Sequence, residues 1–166
     1  IYEQIQEFQK EDALLRNISL TLYEDSMLSL GSLYNVSKQI ERALDKRVWL
    51  PSGGYLVIEP TEALTVIDVN TGKDVNKRKK QEHFLKVNKE AARMAAKQLR
   101  LRNLSGIIII DFIDMKQEED RKELLSYLKK EVQLDPVPVQ VVDMTKLELG
   151  ELTRKKVSKN LKEQLT

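Results

Sequence analysis

The sequence predicts an α/β fold, a mainly parallel mixed sheet with packed helices preceded by a small α/β piece. Three observations predict it. Apolar, β-branched runs at 63–70, 107–110 and 139–142 read as strands, and helix-periodic segments at 82–102 and 117–132 separate them. Strands alternating with helices argue for parallel crossovers. At 166 residues with 41% hydrophobic composition, the chain is long enough for one packed core and a small appended piece.

Taken in order, residues 1–16 read as a helix, with Ile5, Phe8 and Leu15 near one face, and Ile18–Tyr23 as a strand. Residues 32–46 form a second helix on the spacing of Leu33, Val36, Ile40 and Leu44. Val48-Trp49-Leu50 and Tyr55-Leu56-Val57-Ile58 flank Pro51-Ser52-Gly53-Gly54, a turn signal that predicts a β-hairpin with Trp49 and Tyr55 packed on its buried face, base stacking being the alternative that nothing in the sequence supports. Ala63–Asn70 is the next strand. After a polar loop comes the 82–102 helix, then the isoleucine strand, the 117–132 helix and a last strand at Val139–Val142.

Absence of cysteine removes disulfides and thiolate metal sites, and no apolar run approaches the ~20 residues that span a bilayer. A soluble, cytoplasmic protein without membrane contact is expected. The chain opens at Ile1-Tyr2-Glu3 without a signal-peptide pattern, which reads as a piece of something longer. Net charge is +2, but it is segregated. Residues 73–102 hold eleven Lys/Arg against Asp74, Glu82 and Glu90, so a basic band lies beside an acidic body, as suits a polyanion bound next to carboxylates.

Two acidic strand ends carry the chemistry. Asp68 closes Val66-Ile67, and Asp111 follows Ile107-Ile108-Ile109-Ile110 directly. A carboxylate there is costly unless a positive group meets it. A strand-helix-strand unit places both at one edge of the sheet, where two carboxylates repel or recruit a cation. With oxygen ligands alone, the cation is a hard one such as Mg²⁺. Asn70, two residues past Asp68, lies on the same strand face. The alternative is that Asp68 and Asp111 merely cap turns or neighbouring helices, and that Asn70 before Thr71-Gly72 is a turn residue. Asp114, three residues before Gln117, fits a helix capping box better than a ligand role.

Lys86, Lys89, Arg93, Lys97 and Arg100 form a stripe on the 82–102 helix opposite Phe84, Val87, Ala91, Met94 and Ala95. Such a stripe is either solvated or binds phosphates. Lys73, Lys77, Arg78, Lys79 and Lys80 follow Asp68 and Asn70 and could steer a backbone toward them. Arg154, with Lys155, Lys156, Lys159 and Lys162, forms a second basic patch on a short helix or tail, read first as solvated and only secondarily as an RNA contact. His83 reads as a surface residue near a helix end.

These residues together resemble the catalytic core of the RNase E/G endoribonuclease family. The likeness runs through Leu50-Pro51-Ser52-Gly53-Gly54, Thr61-Glu62-Ala63-Leu64-Thr65-Val66-Ile67-Asp68-Val69-Asn70-Thr71-Gly72-Lys73, and Gln98-Leu99-Arg100-Leu101-Arg102-Asn103-Leu104-Ser105-Gly106 into Ile110-Asp111-Phe112-Ile113-Asp114-Met115. It continues more loosely through Glu151-Leu152-Thr153-Arg154-Lys155-Lys156, with the RNase G branch the nearer. The resemblance implies that residues 1–44 end an RNase H-like subdomain and 45–166 form a DNase I-like catalytic subdomain. It implies Mg²⁺, for which Mn²⁺ can substitute, held by Asp68 and Asp111 with Asn70 assisting. It further implies hydrolysis of single-stranded RNA to 5′-phosphate and 3′-hydroxyl ends in RNA processing or decay, and a homo-oligomer for the full-length protein. The family's S1 domain, its 5′-monophosphate pocket and its zinc-sharing cysteine pair have no counterpart in these residues, so no zinc is expected here. Where the family has Gly-Leu-x-Glu, this chain has Glu148-Leu149-Gly150-Glu151. A non-catalytic RNA-binding or assembly module with the same fold is the competing expectation.

Overall fold

The computed structural model describes residues 1–12, 15, 17–71, 80–145 and 147–165, the side chains of 80–82 apart. It forms two compact units, Ile1–Ile40 and Glu41–Thr166.

The first unit holds α1 (Tyr2–Glu11), α2 (Leu30–Leu33) and the start of α3 (Val36–Leu44). Ser29 caps α2, its hydroxyl accepting from the Ser32 amide at 3.1 Å. None of the described residues of 1–40 is buried, and Phe8 is exposed. The strand expected at Ile18–Tyr23 does not form: that stretch pairs with no strand among the described residues, and an unpaired extended segment is no sheet. The first helix is also shorter than expected, ending at Glu11, and the second is broken by Asn35, whose φ is +50°.

The second unit is a six-stranded sheet of β1 (Arg47–Trp49), β2 (Tyr55–Pro60), β3 (Leu64–Asn70), β4 (Gly106–Asp111), β5 (Val139–Met144) and β6 (Leu149–Arg154). It is ordered β1-β2-β3-β4-β6-β5 and backed by α4 (Lys80–Arg102) and α5 (Glu118–Val132), with the short α6 (Leu161–Leu165) last. The α/β class and packed helices agree with the sequence; the predominance of parallel pairing does not. Only β3 and β4 pair in parallel. The strands read as β3, β4 and β5 do run the same way, but β6 slips antiparallel between β4 and β5 and converts one expected parallel contact into two antiparallel ones. Leu149-Gly150-Glu151-Leu152 lacks the β-branched run of a strand, which is why its pairing was not legible.

Sheet parity decides what is covered. Leu56, Ile58, Ile67, Ile108, Ile110 and Leu152 are buried, while their neighbours Val57, Val66 and Ile109 are half-buried and Ile107 is exposed. Both helices press on the first set. Ala91, Ala92, Ala95 and Ala96 are all buried, so α4 lies close to the strands, and Leu124, Leu128 and Val132 bring α5 into the same core. The other face is open, because side chains alternate across a strand and no described helix of this unit backs the second set.

Two buried charges brace this layer. Arg154 Nε donates to Asp135 Oδ2 at 2.8 Å and its Nη2 to Oδ1 at 3.2 Å, while its Nη1 donates to Asn103 Oδ1 at 2.8 Å and the Leu104 carbonyl at 3.1 Å. Burial pushes the Asp135 carboxyl up, but Arg154 and the Val137 amide outweigh it and hold it below 3.8. Arg102 is buried too, donating to Gln98 Oε1 and the Asp45 carbonyl, each at 2.7 Å. Asp135→Ala, which strands the Arg154 charge, is expected to lower the unfolding free energy by about 3–5 kcal/mol in urea melts, more than Arg154→Leu, which leaves the smaller carboxylate able to protonate.

Candidate functional site

The register of β3 and β4 places Asp68 directly opposite Asp111 at the C-terminal ends of two adjacent parallel strands, about 5 Å apart from strand to strand. Register partners project to the same face. Asp68 alternates with the buried Ile67 and Val69, and Asp111 with Ile110 and Phe112, so both carboxylates stand on the open face, away from the helices. They share one edge, as the sequence implied.

Asn70 lies on that face as well, and its amide donates to Asp68 Oδ2 at 2.8 Å. This fixes the Asp68 rotamer and leaves a carboxylate pair oriented by an amide. Burial first, then the charges of Asp68 and Asp114, push the Asp111 carboxyl up. A site of like charges held together by backbone pairing suits a cation. The donor set is all oxygen, appropriate to a hard divalent ion that keeps several waters. Among the described residues no group of three or more His, Asp or Glu side chains has metal-holding geometry, so protein ligands here would be few.

Two features hold the edge in shape. Gly54 lies so close under β3 that a Cβ there would stand 2.5 Å from the Asn70 carbonyl, while Gly53 takes φ +87° to turn the hairpin. On the other side, the loop after Asp111 is pinned by Asn88 of α4. Its Nδ2 donates to the Ile113 carbonyl at 2.8 Å and its Oδ1 accepts from the Ile113 amide at 3.0 Å. Asn88 is wholly buried, and sequence reasoning passed over it; a polar side chain between Val87 and Ala91 on the core face was the available signal.

Glu148 is a second residue sequence reasoning left aside. It stands with φ +61° where the family pattern has glycine, buried and ion-paired with Arg121, whose Nη2 also donates to the Met115 carbonyl at 2.8 Å. Its backbone carbonyl accepts from Phe112 at 3.3 Å. Gly150 gives the Phe112 ring room that a Cβ would fill at 2.9 Å. Asp114 does not cap α5: the N-cap is Gln117, which makes no side-chain cap bond, and Asp114 is exposed beside the pair.

The basic residues are only partly brought to the site. Lys73, Lys77, Arg78 and Lys79 lie outside the described residues, as does the side chain of Lys80. Lys86, Arg93 and Lys97 are exposed on α4, which covers the opposite face of the sheet from the carboxylates. Lys89 pairs with Glu123 of α5 at 2.5 Å and Arg100 donates to the Glu131 carbonyl at 3.5 Å, so part of this stripe serves helix packing. Arg154 is buried and fully engaged by Asp135, Asn103 and Leu104, which removes it from any phosphate-binding role. His83 is half-exposed beside Phe84. The packing expected of Trp49 fails: parity turns it to the open face, 61% exposed, because Leu50 and Val48 take the core side.

What these residues define is the class of α/β domains that present a paired-aspartate edge on one uncovered sheet face. The chain belongs to the Ribonuclease E/G family, whose model matches residues 1–157. It is 48% identical over 136 residues to Ribonuclease E of Synechocystis sp., covering 82% of this chain and 20% of that protein. It is 41% identical over 160 residues to Ribonuclease G of Salmonella typhimurium (96% and 32%), and 45% identical over 129 residues to Ribonuclease G of Escherichia coli (78% and 26%). The chain therefore spans between a fifth and a third of the length of these curated relatives, which come from both branches. No helix among the described residues is long and apolar enough to cross a membrane.

Two outcomes are expected. Because the folded Asp111 carboxyl binds its proton more tightly than the unfolded one, stability falls as pH rises from 3.8 through the elevated folded value. Asp111→Asn should therefore raise the unfolding free energy in urea melts in divalent-free buffer at neutral pH, by less than about 1 kcal/mol for so exposed a group, with the gain vanishing in acid. Gly54→Ala should lower the unfolding free energy by about 1–3 kcal/mol and shift the amide NMR signals around Asn70.

Proposed function

We propose that this chain is the metal-binding part of an endoribonuclease that hydrolyses single-stranded RNA, leaving 5′-phosphate and 3′-hydroxyl ends. The observation that carries it is the register pairing of Asp68 with Asp111 on an open, helix-free face, in a chain whose relatives are named ribonucleases. An open face admits a polymer laid across the strands, which a closed pocket would not.

In this reading Asp68 and Asp111 hold Mg²⁺, for which Mn²⁺ can substitute, and Asn70 keeps Asp68 in its binding rotamer. Once bound there, such an ion would supply Lewis-acid chemistry at the phosphoryl oxygens and a lowered pKa for a bound water. The protein's own contribution is position. Asn88, Gly54 and the Glu148–Arg121 pair hold the two strand ends in place, so the carboxylates meet a phosphate with little reorganisation. Basic residues following Asn70, namely Lys73, Lys77, Arg78, Lys79 and Lys80, supply sequence-independent phosphate contacts. The subdomain assignment, 1–44 to an RNase H-like piece and 45–166 to a DNase I-like one, belongs to the same reading, as do a cytoplasmic location and a homo-oligomeric full-length protein.

Titrating Mg²⁺ into this chain should shift the NMR signals of Asp68, Asn70 and Asp111 together. Silence at all three favours a non-catalytic module. In the full-length protein, Asp68→Asn or Asp111→Asn should reduce cleavage of single-stranded RNA by several orders of magnitude with an unchanged circular dichroism spectrum; activity retained in either variant removes the assignment.

A further inference from the structure

We propose that Trp49, Tyr55 and Arg47 form a stacking platform for a nucleobase of single-stranded RNA, one side of the carboxylate edge. The proposal rests on the RNA-substrate reading above and adds a base-contacting subsite to it. Sheet register sets the placement: Trp49 lies opposite Tyr55, which lies opposite Asn70, while Arg47 lies opposite Val57, which lies opposite Asp68. All six side chains therefore belong to the open face. Trp49 is two strand spacings from Asn70, or about 10 Å, so a strand whose phosphate meets Asp68 and Asp111 brings a neighbouring base over the rings.

The three side chains are already arranged for that contact. The Trp49 and Tyr55 rings meet edge-on, centroids 5.3 Å apart at 62°. The Arg47 guanidinium stands 4.4 Å from the Tyr55 ring centroid and 5.7 Å from that of Trp49, and it makes no ion pair among the described residues. Trp49 is thereby held in one orientation with 61% of its surface in water. A large aromatic fixed in the open, with a cation beside it, offers a π-face to a base and a charge to its phosphate, at little cost in lost rotamers.

Trp49 is the sole tryptophan, so intrinsic fluorescence of the intact chain reports on it alone. A short oligoadenylate, titrated without divalent cation, should quench that fluorescence, while an abasic oligomer of equal length and charge should not. In parallel, anisotropy of labelled oligoadenylate should show affinity falling about tenfold in Trp49→Leu and much less in Trp49→Phe, which keeps a ring. Binding by anisotropy without quenching, equal quenching by the abasic oligomer, or unchanged affinity in Trp49→Leu overturns the platform while leaving the RNA reading intact. If neither oligomer binds at all, the RNA reading falls and the platform with it.

Discussion

Backbone pairing between β3 and β4 is the constraint on which the rest of the molecule depends. Asp68 and Asp111 repel each other, and among the described residues no side-chain contact joins them; the hydrogen-bond ladder of two parallel strands does. That ladder is stable only because Ile67, Ile108 and Ile110 are sealed under α4 and α5 on the other side. Apolar burial on one face thus sustains charge repulsion on the other, the arrangement expected where a cation is to be met. Braces at Asn88 and Gly54 act locally on the same two strand ends.

Much of this was legible in the sequence, and the misses have physical causes. Strong β-branched runs located β3, β4 and β5, and 3.6-residue periodicity located α4 and α5 to within two residues, because in those segments local preference and tertiary packing agree. β6 escaped because Gly150 and Glu151 break any strand pattern; Gly150 is there for the Phe112 ring, a contact that only the folded sheet reveals. One unseen strand was enough to turn a mainly parallel sheet into a mainly antiparallel one. Ile18–Tyr23 erred the other way, having strand-like composition but no partner.

At the site, the carboxylate pair could be read because parallel crossovers bring strand ends together by topology. Charge alone is ambiguous. The regular spacing of Lys89 and Arg100 fits a solvated stripe or a phosphate band, and only the fold shows that Glu123 and the Glu131 backbone carbonyl, far away in sequence, engage both. Arg154 followed the same pattern more completely, since Asp135 and Asn103 were invisible as partners until the sheet closed. Trp49 was misjudged because a hairpin has two faces, and only strand parity says which one the core takes.

The Asn88 clasp joins elements that the chain visits at different times. It sits on the helix entered after β3, and it grips the loop left after β4. Any displacement of Ile113 must therefore drag on the third turn of α4. The loop after Asp111 is consequently tied to the helix that backs the sheet, so a pull on that carboxylate is borne by the packed layer beneath it and not by the loop alone.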